Sequence, residues 1–227
     1  MADKVAYPGR LIAIDGSRGK DAKASSDALV AELGKSGIAC AVSRWDASGL
    51  FGDLAVAAKS DRHISIRTLS LVYAADLAFR LRWEIRPVLE AGGVVVATPY
   101  VETAIAFGTA CGLSEEWLRE LMRFAPAAHL RGHAEERKRD RPWKRRIDRG
   151  YPEYGAFMLD ASSPRQASKR ARRVMMQMLD RARGRKVYDL TGKGIAALAA
   201  AATDSPPGEA SKSPWRPRNG RRKFARR

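Results

Sequence analysis

A short apolar run, cut by a turn and answered by a second run, constrains this fold more than any other feature. Leu11-Ile-Ala-Ile14 ends at Asp15-Gly16. A continuous apolar run closed by a turn signal predicts a strand buried on both faces. Residues 24–35 then carry Ala28, Leu29 and Leu33 on one helical face, with Gly37 as a C-terminal stop. Ile38-Ala-Cys-Ala-Val42 predicts the second strand. Strand, helix, strand within residues 11–42 is a βαβ unit, and such units build a parallel sheet covered on both faces.

The pattern continues along the chain. Residues 65–90 predict one long helix, with Leu69, Val72, Tyr73, Asp76, Phe79 and Trp83 near helical spacing and Pro87 in its last turn. Gly92-Gly93 ends it, and Val94–Ala97 predicts a third strand. Residues 101–108 and 114–124 predict further helices, Ser114 capping the second. Ala156–Leu159 predicts a fourth strand, and residues 165–183 a basic helix with Val174, Met175, Met178 and Leu179 inside. The expectation is a three-layer α/β domain over residues 1–203, with a basic, lid-like insert at 131–150. A disordered Arg/Lys-rich tail is expected at 204–227. In sheets of this kind ligands bind at the carboxyl ends of the strands, here the turns after Ile14, Val42 and Ala97.

Charge separates the chain into parts. The whole carries +17, yet residues 1–130 hold 15 basic and 15 acidic side chains. The excess lies in residues 131–150 (9 basic, 4 acidic), 165–186 (9 and 1) and 204–227 (8 and 2). Basic segments attract phosphates, whether of nucleotides, nucleic acid or an anionic surface. Two cysteines, Cys40 and Cys111, exclude a disulfide scaffold and a multi-cysteine zinc site. Apolar Ile195–Ala202 is far short of the roughly 20 residues of a membrane span. No signal-type segment precedes Leu11, so a soluble, cytoplasmic protein is expected.

The turns at the strand ends resemble, in order, those of the thymidylate kinase family of P-loop nucleoside monophosphate kinases. Leu11-Ile-Ala-Ile-Asp-Gly16 is similar to the first strand and its entry to the P-loop. Ser43-Arg44-Trp45 resembles the turn whose arginine faces the monophosphate. Ile66-Arg67-Thr68 through Tyr73-Ala-Ala-Asp76 resembles the Pro-Arg-Thr-Glu and Phe-Ala-Ala-Asp-Arg helix. Ile85–Leu89, Gly92 and Val94–Ala97 continue the match, Tyr100–Phe107 is similar to the Asp-Arg-Tyr stretch, and Met158–Ser162 resembles the last strand. The resemblance implies a P-loop kinase-like fold. It also implies candidate phosphate or nucleotide contacts at Asp15, Gly16, Gly19, Lys20, Lys23, Arg44 and Arg67. Tyr73 and Tyr100 are candidates for base stacking, and Arg137, Arg139, Arg141, Lys144, Arg145 and Arg146 for a lid. The long 65–90 helix is where family members commonly pair, which makes a homodimer an expectation.

The chemical residues of that family are worn here. A P-loop needs glycines whose N–H groups wrap phosphate, a Lys for the outer phosphates and a Ser/Thr for Mg²⁺. Aligned from Asp15-Gly16, the first loop Asp falls on Arg18 and the second glycine on Asp21. The Lys falls on Ala22, and the Ser/Thr on Lys23. A one-residue slip makes Lys23 a stand-in, and Lys20 is also near. The Asp-Arg pair after the third strand falls on Thr98-Pro99, the helix arginine on Leu77, and the base-reading polar residue on Ala104. The family's strand between Phe124 and Tyr151 is not legible.

Other constellations offer less. His129 and His133 stand four apart without zinc-type partners, so no metal site is expected. Gly192-Lys193-Gly194 reads as a turn. The tail from Trp215 interleaves aromatic and basic residues, a composition suited to single-stranded nucleic acid or an acidic protein partner. Two functions follow. One is a thymidylate-kinase-like protein with impaired catalysis that binds phosphate, nucleotide, nucleic acid or a protein. The other is an active nucleoside monophosphate kinase acting on dTMP or a related monophosphate, for which Mg and ATP would be the cofactors.

Overall fold

The apolar run at the start of the chain becomes β1 (Arg10–Asp15), and its alternate residues seed two separate cores. The computed structural model describes residues 7–16, 19–45, 47–50, 65–134, 173–174, 177 and 187–204. The other strands are β2 (Cys40–Arg44), β3 (Val94–Thr98), β4 (Leu130–His133) and β5 (Val187–Asp189). They form one five-stranded sheet in the order β2-β3-β1-β4-β5, every pair parallel.

The helices are α1 (Gly19–Lys35), α2 (Ile66–Arg80), a π-helical turn (Leu81–Ile85), α3 (Arg86–Glu90), α4 (Val101–Ala110), α5 (Glu115–Leu121) and α6 (Gly192–Thr203). Leu11, Ala13, Val95 and Ala97 face one layer. There they pack with Leu69, Tyr73 and Leu77 of α2, Leu81, Ile85 and Leu89 beyond it, and Phe107 of α4. Ile12, Ile14, Val94 and Val96 face the other, against Leu29 and Leu33 of α1 and Leu198, Ala199 and Ala202 of α6. This is why the central strands read as unbroken apolar runs: neither face meets water. Burying each such Leu, Ile or Val side chain contributes roughly 1.5–3 kcal/mol. The result is a three-layer α/β fold of the P-loop kinase-like kind.

The strand order places the site. From β1 the chain moves outward to β2, returns to β3, then crosses to β4 on the far side of β1. The direction of winding therefore reverses between β1 and β3. In doubly wound sheets the ligand crevice lies at such a reversal, outside the carboxyl ends of the strands. Asp15, Thr98 and Arg44 end the three strands that meet there.

The structure departs from the sequence pattern at several points. A strand does occupy the stretch after Phe124: β4 pairs with β1 from Ile12↔Leu130 to Asp15↔His133. It escaped the apolar pattern because Leu-Arg-Gly-His is polar in text. Gly132 keeps one face small against Leu190, and Arg131 is paired to Glu102. Residues 131–133 of the expected basic insert therefore belong to β4, and residues 135–150 lie outside the described residues. The fifth strand is Val187–Asp189, while the expected Ala156–Leu159 strand lies outside the described residues. Gly192-Lys193-Gly194 is no isolated turn. It opens α6 directly after β5, with Thr191 capping the helix through Gly194 N. Helix α1 starts at Gly19, five residues before the apolar face begins, and Asp21 in its first turn suits the positive end of the helix dipole. The 65–90 helix runs on without a stop, but its turn before Pro87 widens to π spacing, with Arg86 N–H bonded to Leu81 O. Proline has no N–H to give and crowds the turn before it. In the expected basic helix, residues 173, 174 and 177 are helical, and Val174 packs against Ile105, Ala106 and Leu118.

Candidate functional site

Asp15, at the end of β1, is engaged through one of its two carboxylate oxygens. Its Oδ1 accepts from Tyr100 N at 2.9 Å, Thr103 N at 2.9 Å and Thr103 Oγ1 at 2.8 Å. Thr103 Oγ1 in turn accepts from Gly16 N at 3.2 Å. Tyr100 is the N-cap position of α4 and Thr103 its third residue, so Asp15 acts as a cap supplied from another element. Burial pushes its carboxyl upward and Glu102 adds to this, while the Thr103 bonds and Arg131 oppose it. Gly16 is needed for space: a Cβ there would sit 2.9 Å from Ala134 Cβ.

The connection from β1 to α1 is only three residues, 16–18. A cradle of G-x-x-x-x-G form holds four residues between its glycines before the helix begins. Here Asp21, Ala22 and Lys23 are already helical. Gly19 and Lys20 open the helix, and their side chains lie outside the described set. Lys23 Nζ is hydrogen-bonded to Asp27 Oδ2 one turn later. The other oxygen of Asp27, Oδ1, accepts from Arg44 Nη2 at 2.6 Å. Two of the expected phosphate contacts are thus brought together, on one carboxylate that the sequence reading did not single out. Arg44 Nε is buried without a hydrogen-bond partner.

Beneath this rim lies a buried ionic cluster. Arg80 is fully buried and donates Nε to Ser43 Oγ at 2.9 Å, Nη2 to Ser43 O at 2.9 Å and Nη1 to Pro99 O at 3.3 Å. It thereby ties the ends of β2 and β3 together, beside the cis Thr98-Pro99 peptide. Ser43 Oγ donates to Glu84 Oε2 at 2.7 Å. Asp76 Oδ1 accepts from Ser48 N and Ser48 Oγ, at 3.0 and 2.7 Å. Burial pushes the Arg80 guanidinium down, and Asp76 and Glu84 work against it. Burial raises Glu84, opposed by Ser43 and Arg80. Sequence spacing held a clue to this cluster: Asp76, Arg80 and Glu84 are four apart on one helical run. Thr98, where the family pattern has a carboxylate, keeps its Oγ1 buried without a partner.

The remaining candidates are placed as follows. Tyr73 is buried edge-on against Trp45, ring centroids 3.9 Å apart. Tyr100 is buried too, its hydroxyl donating to Pro126 O at 2.9 Å, and burial holds that hydroxyl well above its ordinary pKa. Arg67 lies over the Trp117 ring at 5.2 Å. Arg137, Arg139, Arg141, Lys144, Arg145 and Arg146 lie outside the described residues. Among the described residues no group of three His, Cys, Asp or Glu side chains is arranged to hold a metal ion. Nor, among them, is any helix long and apolar enough to cross a membrane.

Similarity to known proteins agrees with the fold. The chain is 31% identical to the thymidylate kinase of Rhizorhabdus wittichii over 128 residues, 54% of this chain and 61% of the relative. It is 30% identical to probable thymidylate kinase 2 of Saccharolobus solfataricus over 117 residues, 52% of this chain and 54% of the relative. A shorter stretch of 67 residues is 40% identical to the probable thymidylate kinase of Pyrococcus abyssi, 30% of this chain and 33% of the relative. The chain thus spans between a third and about three fifths of the length of these curated relatives. No family model matches it. The parallel sheet, the ordered turns at its carboxyl rim and these partial identities agree on a likeness to the thymidylate kinases over about half of the chain.

Proposed function

We propose that this thymidylate-kinase-like chain binds a phosphate-bearing ligand without efficient phosphoryl transfer. The observation that carries the reading is the early start of α1 at Gly19, which leaves residues 16–18 alone between β1 and the helix. Mg·ATP does not fit the residues present. Asp15 Oδ1 already takes three donors, Thr98-Pro99 offers no carboxylate after β3, and Lys23 stands where a Ser/Thr would hold the metal. Each lost electrostatic group of this kind costs roughly 10²–10³ in rate, and several are lost together.

What remains is a scaffold with Arg44 and Lys23 at the rim and strongly basic segments beyond residue 131. Those segments suit nucleic acid or an acidic protein as the macromolecular partner. The exposed Leu71, Phe79 and Trp83 on the 65–90 helix suit pairing with a second copy. Leu69, Tyr73 and Asp76 are buried within the monomer and take no part in that surface.

The test is ADP formation from Mg·ATP, with and without dTMP, on the purified full-length chain. The expected outcome is no dTMP-dependent turnover above blank. Turnover at an ordinary kinase rate, abolished by Lys23→Ala or Lys20→Ala, would establish the active kinase instead.

A further inference from the structure

Arg44 facing a phosphate is already implied by the family resemblance. The new element is Asp27. Its carboxylate bridges Lys23 and Arg44, so the site holds an anion of its own. The match is incomplete. Nε and Nη2 of a guanidinium donate from the same edge, the pair that grips an oxyanion in bidentate fashion. Asp27 fills Nη2 with one oxygen and Lys23 with the other, while Arg44 Nε stays buried and unpartnered. The bidentate edge of Arg44 is thus only half used.

We propose that Asp27 is an internal plug of an oxyanion site, displaced by a ligand of higher charge, a terminal phosphate. Inorganic phosphate and a phosphate monoester carry close to two negative charges at neutral pH to set against Lys23 and Arg44; a phosphodiester carries one, no more than the carboxylate already in place. The site therefore selects a terminal phosphate over a nucleic-acid backbone. Displacement is easy because all three side chains are 40–49% exposed. Exposed pairs of this kind hold only weakly. The inference rests on the reading of the chain as a phosphate binder and adds its regulation.

The test is titration of the full-length chain with inorganic phosphate, dTMP and dimethyl phosphate, for the native sequence, Asp27→Asn and Asp27→Asn/Arg44→Ala. Removing the plug is expected to tighten inorganic phosphate and dTMP about tenfold, as loss of a like charge about 4 Å from the ligand predicts for a partly exposed site. Dimethyl phosphate is expected to show no such gain, and the double variant to lose it. Matching melting curves for the three proteins show that folding is not the cause. Unchanged or weaker phosphate affinity in Asp27→Asn overturns the plug. An equal gain for dimethyl phosphate overturns the choice of a terminal phosphate. Neither result bears on the turnover assay, so this inference and the reading beneath it fail separately.

Discussion

His129 closes a bond across the foot of the sheet. Its Nδ1 accepts the Leu11 N–H at 3.0 Å while the backbone N–H of His129 donates to Leu11 O at 2.9 Å. An imidazole can accept there only when that nitrogen is unprotonated. Burial, and then the charge of Arg10, hold its pKa below the ordinary value. As pH falls, the unfolded chain therefore takes up the proton first. The contribution of this residue is complete above about pH 6.5 and is lost as pH drops from there through the folded value. Urea midpoints at pH 7.5 and 5.5 should show this fall, and His129→Asn, which accepts without titrating, should flatten it. Arg80 gives a larger effect. Arg80→Met removes the guanidinium from between Asp76, Glu84 and the ends of β2 and β3, leaving buried acid without its counter-charge. The expected loss is about 3–5 kcal/mol in urea unfolding. An intact midpoint would mean that the cluster is not holding those strands.

Elements were legible where pattern and burial agree. β1, β3 and α5 carry their signals openly: apolar runs ended by turns, and Ser114 three residues before Trp117, whose N–H it accepts. β4 and β5 did not, because each is short and gains its place by pairing, not by an apolar run of its own. Leu130–His133 offers one apolar side chain in four positions, with Arg131 and His133 polar and Gly132 bearing none. The start of α6 was hidden for the same reason, since Val-Tyr-Asp gives little strand signal by itself. Gly194 tests that junction. A Cβ at this position would lie 1.7 Å from Asp189 O, a backbone atom that cannot swing aside. Gly194→Ala should therefore shift β5 against α6 and destabilise by about 1–3 kcal/mol, read as a lowered melting temperature. Gly192→Ala, with nothing within 4 Å of its Cβ, is the matched control and should change little.

The whole molecule divides by charge more sharply than by fold. Residues 1–130 are neutral and contain β1 to β3 and the rim where Asp15, Arg44 and Thr98 meet. The basic excess lies beyond them. If the proposed polyanion partner is carried by those segments, binding to single-stranded DNA should weaken linearly in log–log terms as salt rises. Removing residues 204–227, with 8 basic and 2 acidic side chains, should lower that slope while the melting temperature of the folded part stays put. An unchanged slope would assign the contacts to the segments before 204. At this scale the sequence announced β1, β2, β3 and the carboxyl rim they form, since these follow from local runs and turns. It did not announce the pairing of Asp27 with Arg44, of Thr103 with Asp15 or of Arg80 with Ser43, which join residues 17 or more apart.

The early start of α1 has a consequence for how this chain could change. The spacing from Gly16 to residue 23 is already that of the motif, so no insertion is required to write Gly-Lys-Ser over Asp21-Ala22-Lys23. What stands in the way is helical phase. The first half-turn would have to unwind, releasing the first-turn acid at 21 and breaking the Lys23–Asp27 contact. Each exchange alone would act on a wound helix, where a glycine at 21 costs up to about 1 kcal/mol and returns no loop. Acquiring the motif is thus a concerted step between two windings of the same length of chain, in which no single substitution brings the loop by itself.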